Sequence, residues 1–346
     1  MESKLKFKNK KIGMKAENMQ TESYVCDSII TLANRWDHFL VRIGWRRNHH
    51  RVKPGLYKLG NPTQESTIFV SANYTLSFDA LRSSLKGIDC YILVLDTKGI
   101  NVWCAAGKGS FGTEELVHRI EITKLSNIVD HRTIILPQLG APGVCAHEVR
   151  KRSGFKVEYG PVRASDLPKY LETRTATTEM RRVRFNLRDR LELIPVEINA
   201  FLFIMIVVIF TGLFTKEIWK SLQIFGILIT GLALFPILLP WIPTRDFTTK
   251  GLLLGCVAVI MIYSLPSYLI GGIVGWVLVF ETLINMLIMT PVVAFLALNF
   301  TGSTTFTSRT GVKREIFKYI PILAVMFISG IVLSVIVYLT NMEVII

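Results

Sequence analysis

Residues 91–108, YILVLDTKGINVWCAAGK, decide the fold. Tyr91–Asp96 is a continuous apolar run of strand length, and Thr97–Lys108, rich in Gly and small residues, follows it and opens a helix. The same pattern extends on either side. Short runs with strand character occur at Thr67–Ala72, Thr133–Leu136 and Phe155–Tyr159, with helix-like segments at about 75–86, 109–128, 141–153 and 165–173 between them. Buried strands alternating with helices predict an α/β domain with a parallel sheet covered on both faces. In such open sheets ligands bind beyond the carboxyl ends of the strands. The segments there are Ser71-Ala72-Asn73, Thr97 to Lys108, Gln138 to Pro142 and Gly160 to Asp166.

The sheet pattern occupies only part of the 346 residues. Residues 1–50 read as a Lys-rich mobile tail followed by an amphipathic helix, 51–190 as the sheet domain, and 191–346 as an all-α transmembrane domain. In the helix, Ile29, Leu32, Trp36, Phe39, Leu40 and Ile43 are spaced for one face. Its basic end, Arg46 to Arg51, suits either an inner-leaflet surface or a solvated helix end. Beyond Leu191 the chain is almost continuously apolar, with runs long enough to cross a bilayer at about 194–214, 221–242, 251–269, 272–298 and 320–341.

Only eight of the 40 Lys and Arg residues lie beyond Arg190, so the basic surplus belongs to the first half. Such a balance suits anionic headgroups or a phosphorylated ligand; no nucleic-acid module accompanies it. Placing the sheet domain inside puts Arg181, Arg182, Arg184, Arg188, Arg190, Arg245, Lys250, Arg309, Lys313, Arg314 and Lys318 on the inner side and only Lys216 and Lys220 outside. The bias predicts a multi-pass protein of the cytoplasmic membrane, with the sheet domain in the cytoplasm and the C-terminus outside. Residues 1–60 contain no apolar core of signal-peptide length, in keeping with that side. Glu197 and Asn199 are expected at the headgroup boundary. Glu281 and Asn285, one turn apart, suit an interior hydrogen bond or an ion or substrate path.

Five cysteines, none in a CxxC spacing, support neither a disulfide framework nor an iron–sulfur cluster on this chain. Gly99 to Gly109 is neither a Walker A loop nor a dinucleotide GxGxxG. Spacing alone leaves Cys104 open between a buried small hydrophobe and a functional thiol.

The segment Asn101-Val102-Trp103-Cys104-Ala105-Ala106-Gly107-Lys108 resembles the signature of the mercury-methylating corrinoid proteins. Similar stretches are Pro54 to Tyr57, Ala72 to Asp79, Leu95 to Gly99, Leu136 to Gly143, Gly160 to Asp166 and Asn299 to Ser308. The resemblance implies a Rossmann-like corrinoid-binding domain holding cobalamin or a related corrinoid. It implies Cys104 as the catalytic thiolate and lower axial ligand of the cobalt, a donor that would favour passing the methyl group to Hg(II) as a carbanion equivalent or radical. Ser71, Asn73, Asn101, Val102, Trp103, Ala105, Gly107, Lys108 and Ala164 are candidate cofactor contacts by strand-end position and matching segments. Trp103 suits either the corrin ring or core packing, and Lys108 either the corrinoid's phosphate or solvent.

The partners implied are a ferredoxin-like reductant with two [4Fe–4S] clusters, a folate-type methyl donor or its methyltransferase, the Hg(II) substrate and membrane lipid. Wider relatives, the large subunits of corrinoid iron–sulfur proteins, carry a four-cysteine cluster motif and a barrel that these residues do not accommodate. The Asp-x-His-x-x-Gly motif of many corrinoid methyltransferases does not occur either; Asp37-His38 and Asp130-His131 have the wrong spacing. Two other functions fit the same layout: a membrane-bound methyl carrier of acetyl-CoA-pathway metabolism, and a transporter with a soluble sensing domain. Five spans without an evident internal repeat weigh against the transporter.

Overall fold

The computed structural model describes residues 23–46, 49–304, 307 and 309–340. The Lys-rich segment 1–20, Arg47-Asn48 of the basic helix end, and Thr305, Phe306 and Ser308 of the later matching stretch lie outside the described residues.

Six strands form one sheet in the order β1-β2-β4-β3-β5-β6. They are β1 Tyr24–Cys26, β2 Gly55–Leu59, β3 Ile68–Ala72, β4 Cys90–Leu95, β5 Thr133–Leu136 and β6 Lys156–Tyr159. The four expected strands are present to within a residue, and β4, β3, β5 and β6 run parallel. The sheet is nevertheless mixed rather than wholly parallel: β2 pairs antiparallel with β4, and β1 lies parallel to β2. Neither strand stands out in the sequence. β1 has three residues, and β2 (GLYKL) follows a proline and mixes a glycine and a lysine into its apolar residues.

Every residue of β3 and β4 is buried, as a central parallel strand requires. Alternation along β4 sends Ile92 and Val94 into a core with Phe69, Phe78, Leu81, Leu85, Leu167 and Tyr170. Leu93 and Leu95, equally buried, serve the other face. Helix α2 (Thr75–Ser84) covers the first core through Phe78 and Leu81. It also carries a buried ion pair, Arg82 Nε to Asp79 at 2.6 Å. Arg82 Nη1 reaches on to the carboxylate of Asp27 at 3.0 Å and the carbonyls of Asp27 and Ile29 at 2.8 Å. One guanidinium therefore fastens the segment after β1.

The helix opened by the loop after β4 is α3 (Val102–Lys108), and the helical segment expected at 109–128 is the shorter α4 (Thr113–Ile122) followed by a 3-10 turn at Leu125–Asn127. Gly109, at φ +85°, ends the first. The expected 141–153 and 165–173 helices are α5 (Ala146–Ser153) and α6 (Leu167–Thr173).

The chain divides into two compact units, one holding residues up to Ile29 and Arg51–Met180, the other Ile30–His50 and Arg181 onward. The amphipathic helix, Leu32–Arg42, therefore belongs with the apolar helices and not with a tail. Among the described residues, five helices of the second unit are long and apolar enough to cross a membrane: Leu187–Thr215, Ile218–Leu238, Phe247–Leu269, Gly275–Ser303 and Thr310–Leu339. The fifth starts ten residues before its apolar run. Its polar first turns are held because Glu315, buried, accepts from the backbone N–H groups of Phe247 (3.4 Å) and Thr248 (3.2 Å) at the start of the third.

Helices three and four approach closely through small residues. A Cβ on Gly251 would stand 2.6 Å from the Ala297 Cβ and 2.7 Å from the Ala294 Cα, so only glycine fits. Pro266 cannot donate to the carbonyl of Ile262, and the helix widens to a π-turn over Ile260–Ser264. Gln223 of the second helix supplies the missing donor at 2.9 Å. Glu197, near the start of the first long helix, is buried: Ser303 Oγ donates to it at 2.5 Å and Asn299 Nδ2 at 3.4 Å. Glu281 accepts from Ser267 Oγ at 2.9 Å, and Asn285 donates to the Glu281 carbonyl at 3.0 Å.

Candidate functional site

The carboxyl ends of β3 and β4 are joined by one side chain. Asn73, 1 % exposed, follows β3, and its Oδ1 accepts three hydrogen bonds from the loop after β4. The donors are Thr97 N (3.1 Å), Thr97 Oγ1 (2.8 Å) and Gly99 N (3.0 Å). Its Nδ2 donates to Asp96 Oδ1 at 3.0 Å, which also accepts from Lys98 N at 3.0 Å. Thr97 Oγ1 contacts the Ile100 carbonyl at 2.7 Å as well. Lys98 and Gly99 both take positive φ (58° and 74°), so the chain turns sharply there. Glu115 of α4 accepts from Asp96 N at 2.8 Å and holds Arg119 at 2.5 Å.

This loop delivers α3. Asn101 is its N-cap, and the side-chain oxygen accepts from Cys104 N at 2.9 Å. Cys104 thus sits in the first turn with its backbone amide fixed. Val102, Ala105 and Ala106 face inward and are buried; Trp103 and Cys104 are half-buried; Gly107 and Lys108 are exposed. The buried side rests on the loop after β5, where a Cβ on Gly143 would lie 3.0 Å from the Ala106 Cα and 2.1 Å from the Phe111 carbonyl oxygen. At Gly107 and Gly109 a Cβ would meet nothing within 4 Å.

Seven of the sequence candidates, Asn101, Val102, Trp103, Cys104, Ala105, Gly107 and Lys108, therefore share one short helix and its cap. Asn73 joins them as a positioning residue, its amide engaged with the loop. Ser71 is buried inside β3, its Oγ directed to the Ala72 carbonyl at 3.3 Å. Ala164 opens the turn Ala164–Asp166 after β6 and packs against the core of Phe69 and Leu167. Thr97 and Glu115, which complete the loop's support, escaped the sequence reading; a Thr and a Glu in ordinary loop and helix positions carry no signal.

The cysteines separate by environment. Cys90, in β4, is fully buried, and burial pushes its thiol up to about 12. Burial likewise lifts Cys26 to about 11, against the lowering influence of Arg82. Cys145 is exposed, its backbone N–H donating to Thr113 Oγ1 at 2.9 Å. Of the five, only Cys104 stands in the helix opened by the β4 loop. Among the described residues no three His, Cys, Asp or Glu side chains are grouped to hold a bare metal ion.

Comparison with known proteins gives the class first. Residues 38–171 match the family model described as CO dehydrogenase/acetyl-CoA synthase delta subunit. Among individual relatives, the acetyl-CoA decarbonylase/synthase complex subunit gamma of Methanopyrus kandleri is 34% identical over 128 residues, 36% of this chain and 27% of that protein. The same subunit of Archaeoglobus fulgidus is 31% identical over 124 residues, 35% of this chain and 26% of the relative. The corrinoid/iron-sulfur protein large subunit of Moorella thermoacetica is 25% identical over 173 residues, 46% of this chain and 38% of that protein. The chain thus spans about a quarter to two-fifths of the length of these relatives. The similarity supports the corrinoid-protein class as a whole and does not single out its mercury-methylating branch.

Proposed function

We propose that this chain is a membrane-held corrinoid methyl carrier, that Cys104 is the lower axial ligand of the cobalt, and that inorganic Hg(II) is the methyl acceptor. The observation that carries this reading is the setting of Cys104: a half-buried thiol in the first turn of α3, its amide held by Asn101 and its loop by Asn73. A corrinoid bound there supplies a cobalt-borne methyl group, and a thiolate donor favours release of that methyl to a soft electrophile.

The chain's own residues act on the sulfur's position. Asn73 and Thr97 fix the loop, Asn101 fixes the first turn, and Ala105 and Ala106 seat the helix. A ligand atom held this way loses little conformational freedom when its partner binds. Trp103, half-buried beside Cys104, supplies a large apolar surface for a flat ring system. Exposed Lys108 offers a positive charge for a phosphate.

The reading extends to the surroundings. The sheet unit works on the cytoplasmic side, where a ferredoxin-like protein with two [4Fe–4S] clusters supplies electrons and a folate-type donor or its methyltransferase renews the methyl group. The names of the relatives favour a second reading more directly: a membrane-bound methyl carrier of acetyl-CoA-type one-carbon metabolism. Both readings use the same Cys104 and differ in the acceptor.

The test is methylmercury yield in cells carrying wild type or Cys104→Ala, with the visible spectrum of the purified protein recorded beside it. Activity in the wild type, lost in the variant while the corrinoid is retained with an altered spectrum, is the expected outcome. A coloured wild-type protein that makes no methylmercury moves the assignment to one-carbon metabolism. Undiminished methylation by Cys104→Ala removes the thiolate from the mechanism.

A further inference from the structure

The helix Leu32–Arg42, α1, wears its apolar face outward. Leu32, Trp36 and Phe39 follow one another at helical spacing and are 82%, 62% and 50% exposed. The rings of Trp36 and Phe39 stack, centroids 5.4 Å apart. The single buried residue of the helix, Val41 (1% exposed), lies on the opposite side. Trp45, just past the helix end, is exposed as well. A capping box between Thr31 and Asn34 fixes the first turn. In water such an arrangement leaves a row of large side chains with nothing to bury them.

Its attachment says where the row lies. Arg42 pairs with Glu192 at 3.6 Å, and a Cβ on Gly44 would stand 3.2 Å from Asn199 Nδ2 and 3.6 Å from Val196 Cγ2. Residues 192–199 are the stretch where the first membrane-length helix passes from Arg188 and Arg190 into its apolar run. Arg35 and Arg42 flank the apolar row, and Arg46 follows it. An aromatic and aliphatic face beside a row of arginines, at the charged end of a membrane span, has the composition of an interfacial helix.

We infer that α1 is a monotopic anchor: Leu32, Trp36, Phe39 and Trp45 enter the headgroup–acyl boundary of an anionic leaflet, with Arg35, Arg42 and Arg46 against lipid phosphates. The inference rests on the five apolar helices being membrane spans. It gives the second unit a surface that recognises lipid in addition to helices that cross it.

The full chain, labelled with 5-fluorotryptophan and placed in nanodiscs containing phosphatidylglycerol, tests this by fluorine NMR. The Trp36 and Trp45 signals are assigned by their loss in Trp36→Phe and Trp45→Phe. A nitroxide on the lipid acyl chain near the headgroup is expected to broaden the Trp36 signal about threefold more than an aqueous gadolinium chelate does. Trp219 and Trp276, exposed on the second and fourth helices, serve as the control for the spans themselves. Lipid broadening of Trp219 and Trp276 without Trp36 overturns the anchor and leaves the spans standing. Broadening of Trp36 by neither agent also overturns it, since a second copy or another protein then covers the face. Failure of Trp219 and Trp276 to meet lipid removes the spans, and the anchor with them. Should Trp36→Phe not fold, Phe39→Leu assigns the same signal through the lost ring stack.

Discussion

Asn73 in the sheet unit and Glu197 in the helical unit perform the same task by different means. Each is a buried polar side chain that ties two segments far apart in sequence. Asn73 does so mostly through main chain, its oxygen collecting two backbone N–H groups and the Thr97 hydroxyl. Glu197 does so through side chains alone, Ser303 and Asn299. Backbone donors are present whatever residue occupies Thr97 or Gly99, so the loop before Cys104 has a single vulnerable member. The Glu197 contact can be lost from either side. A geometry that must be kept is more safely written into the backbone than into pairs of side chains.

Four measurements bear on that contrast. Asn73→Ala strands two backbone N–H donors in a buried loop, while the Thr97 hydroxyl keeps the Ile100 carbonyl, and is expected to cost roughly 3 kcal/mol of unfolding stability. Denaturant titration of the full chain in detergent measures this, and retention of wild-type stability would dissolve the contrast at its stronger end. Glu197→Ala leaves Ser303 and Asn299 without their acceptor and is expected to cost about 2 kcal/mol. Ser303→Ala should produce part of the same loss, whereas Thr97→Ala should fall well short of Asn73→Ala because the backbone donors remain. Asn101→Ala removes the cap of α3, expected at about 1 kcal/mol by thermal unfolding, with Asn101→Asp retaining most of it. The contribution of Cys90 is read on the alkaline side. Its thiol is held up to about 12 from a usual value of 9.0, so the neutral form is favoured by folding. The stabilisation is complete below pH 9 and is lost as pH rises toward 12. Cys90→Ala should flatten the alkaline limb of a stability–pH curve, and thiol reagents near pH 8 should label Cys145 well before Cys90.

How much of this was legible in sequence differs between the units for physical reasons. β3, β4, β5 and β6 announce themselves because a strand buried on both faces needs an unbroken apolar run, and TIIL or CYILVL can be little else between turn residues. β1 and β2 have three and five residues, and their pairing is decided by partners distant in sequence. The long apolar helices were legible because hydropathy and length are local properties; the early start of the fifth was not, since it depends on Glu315 capping another helix. At the site, Asn101 to Lys108 could be found as a block, yet Asn73's position signalled proximity and not role. Its part in holding the loop follows only from which donors the fold brings to its oxygen. Strand-end position likewise placed Ser71 and Ala164 at the right edge without revealing that Ser71 is buried in β3 and that Ala164 packs against the core.

The division of the chain has one further consequence. Residues 24–26 sit in the sheet, 30–50 go with the helices, 51–180 return to the sheet, and 181 onward goes back to the helices. The polypeptide therefore changes unit at three places. A protease that cuts after Met180 separates the sheet unit from all five long apolar helices, yet leaves it joined covalently to α1, which belongs to the second unit. Three separate breaks are needed before no peptide bond links the two. The two units are interleaved along the chain, a property more often seen in discontinuous domains created by insertion than in domains strung end to end.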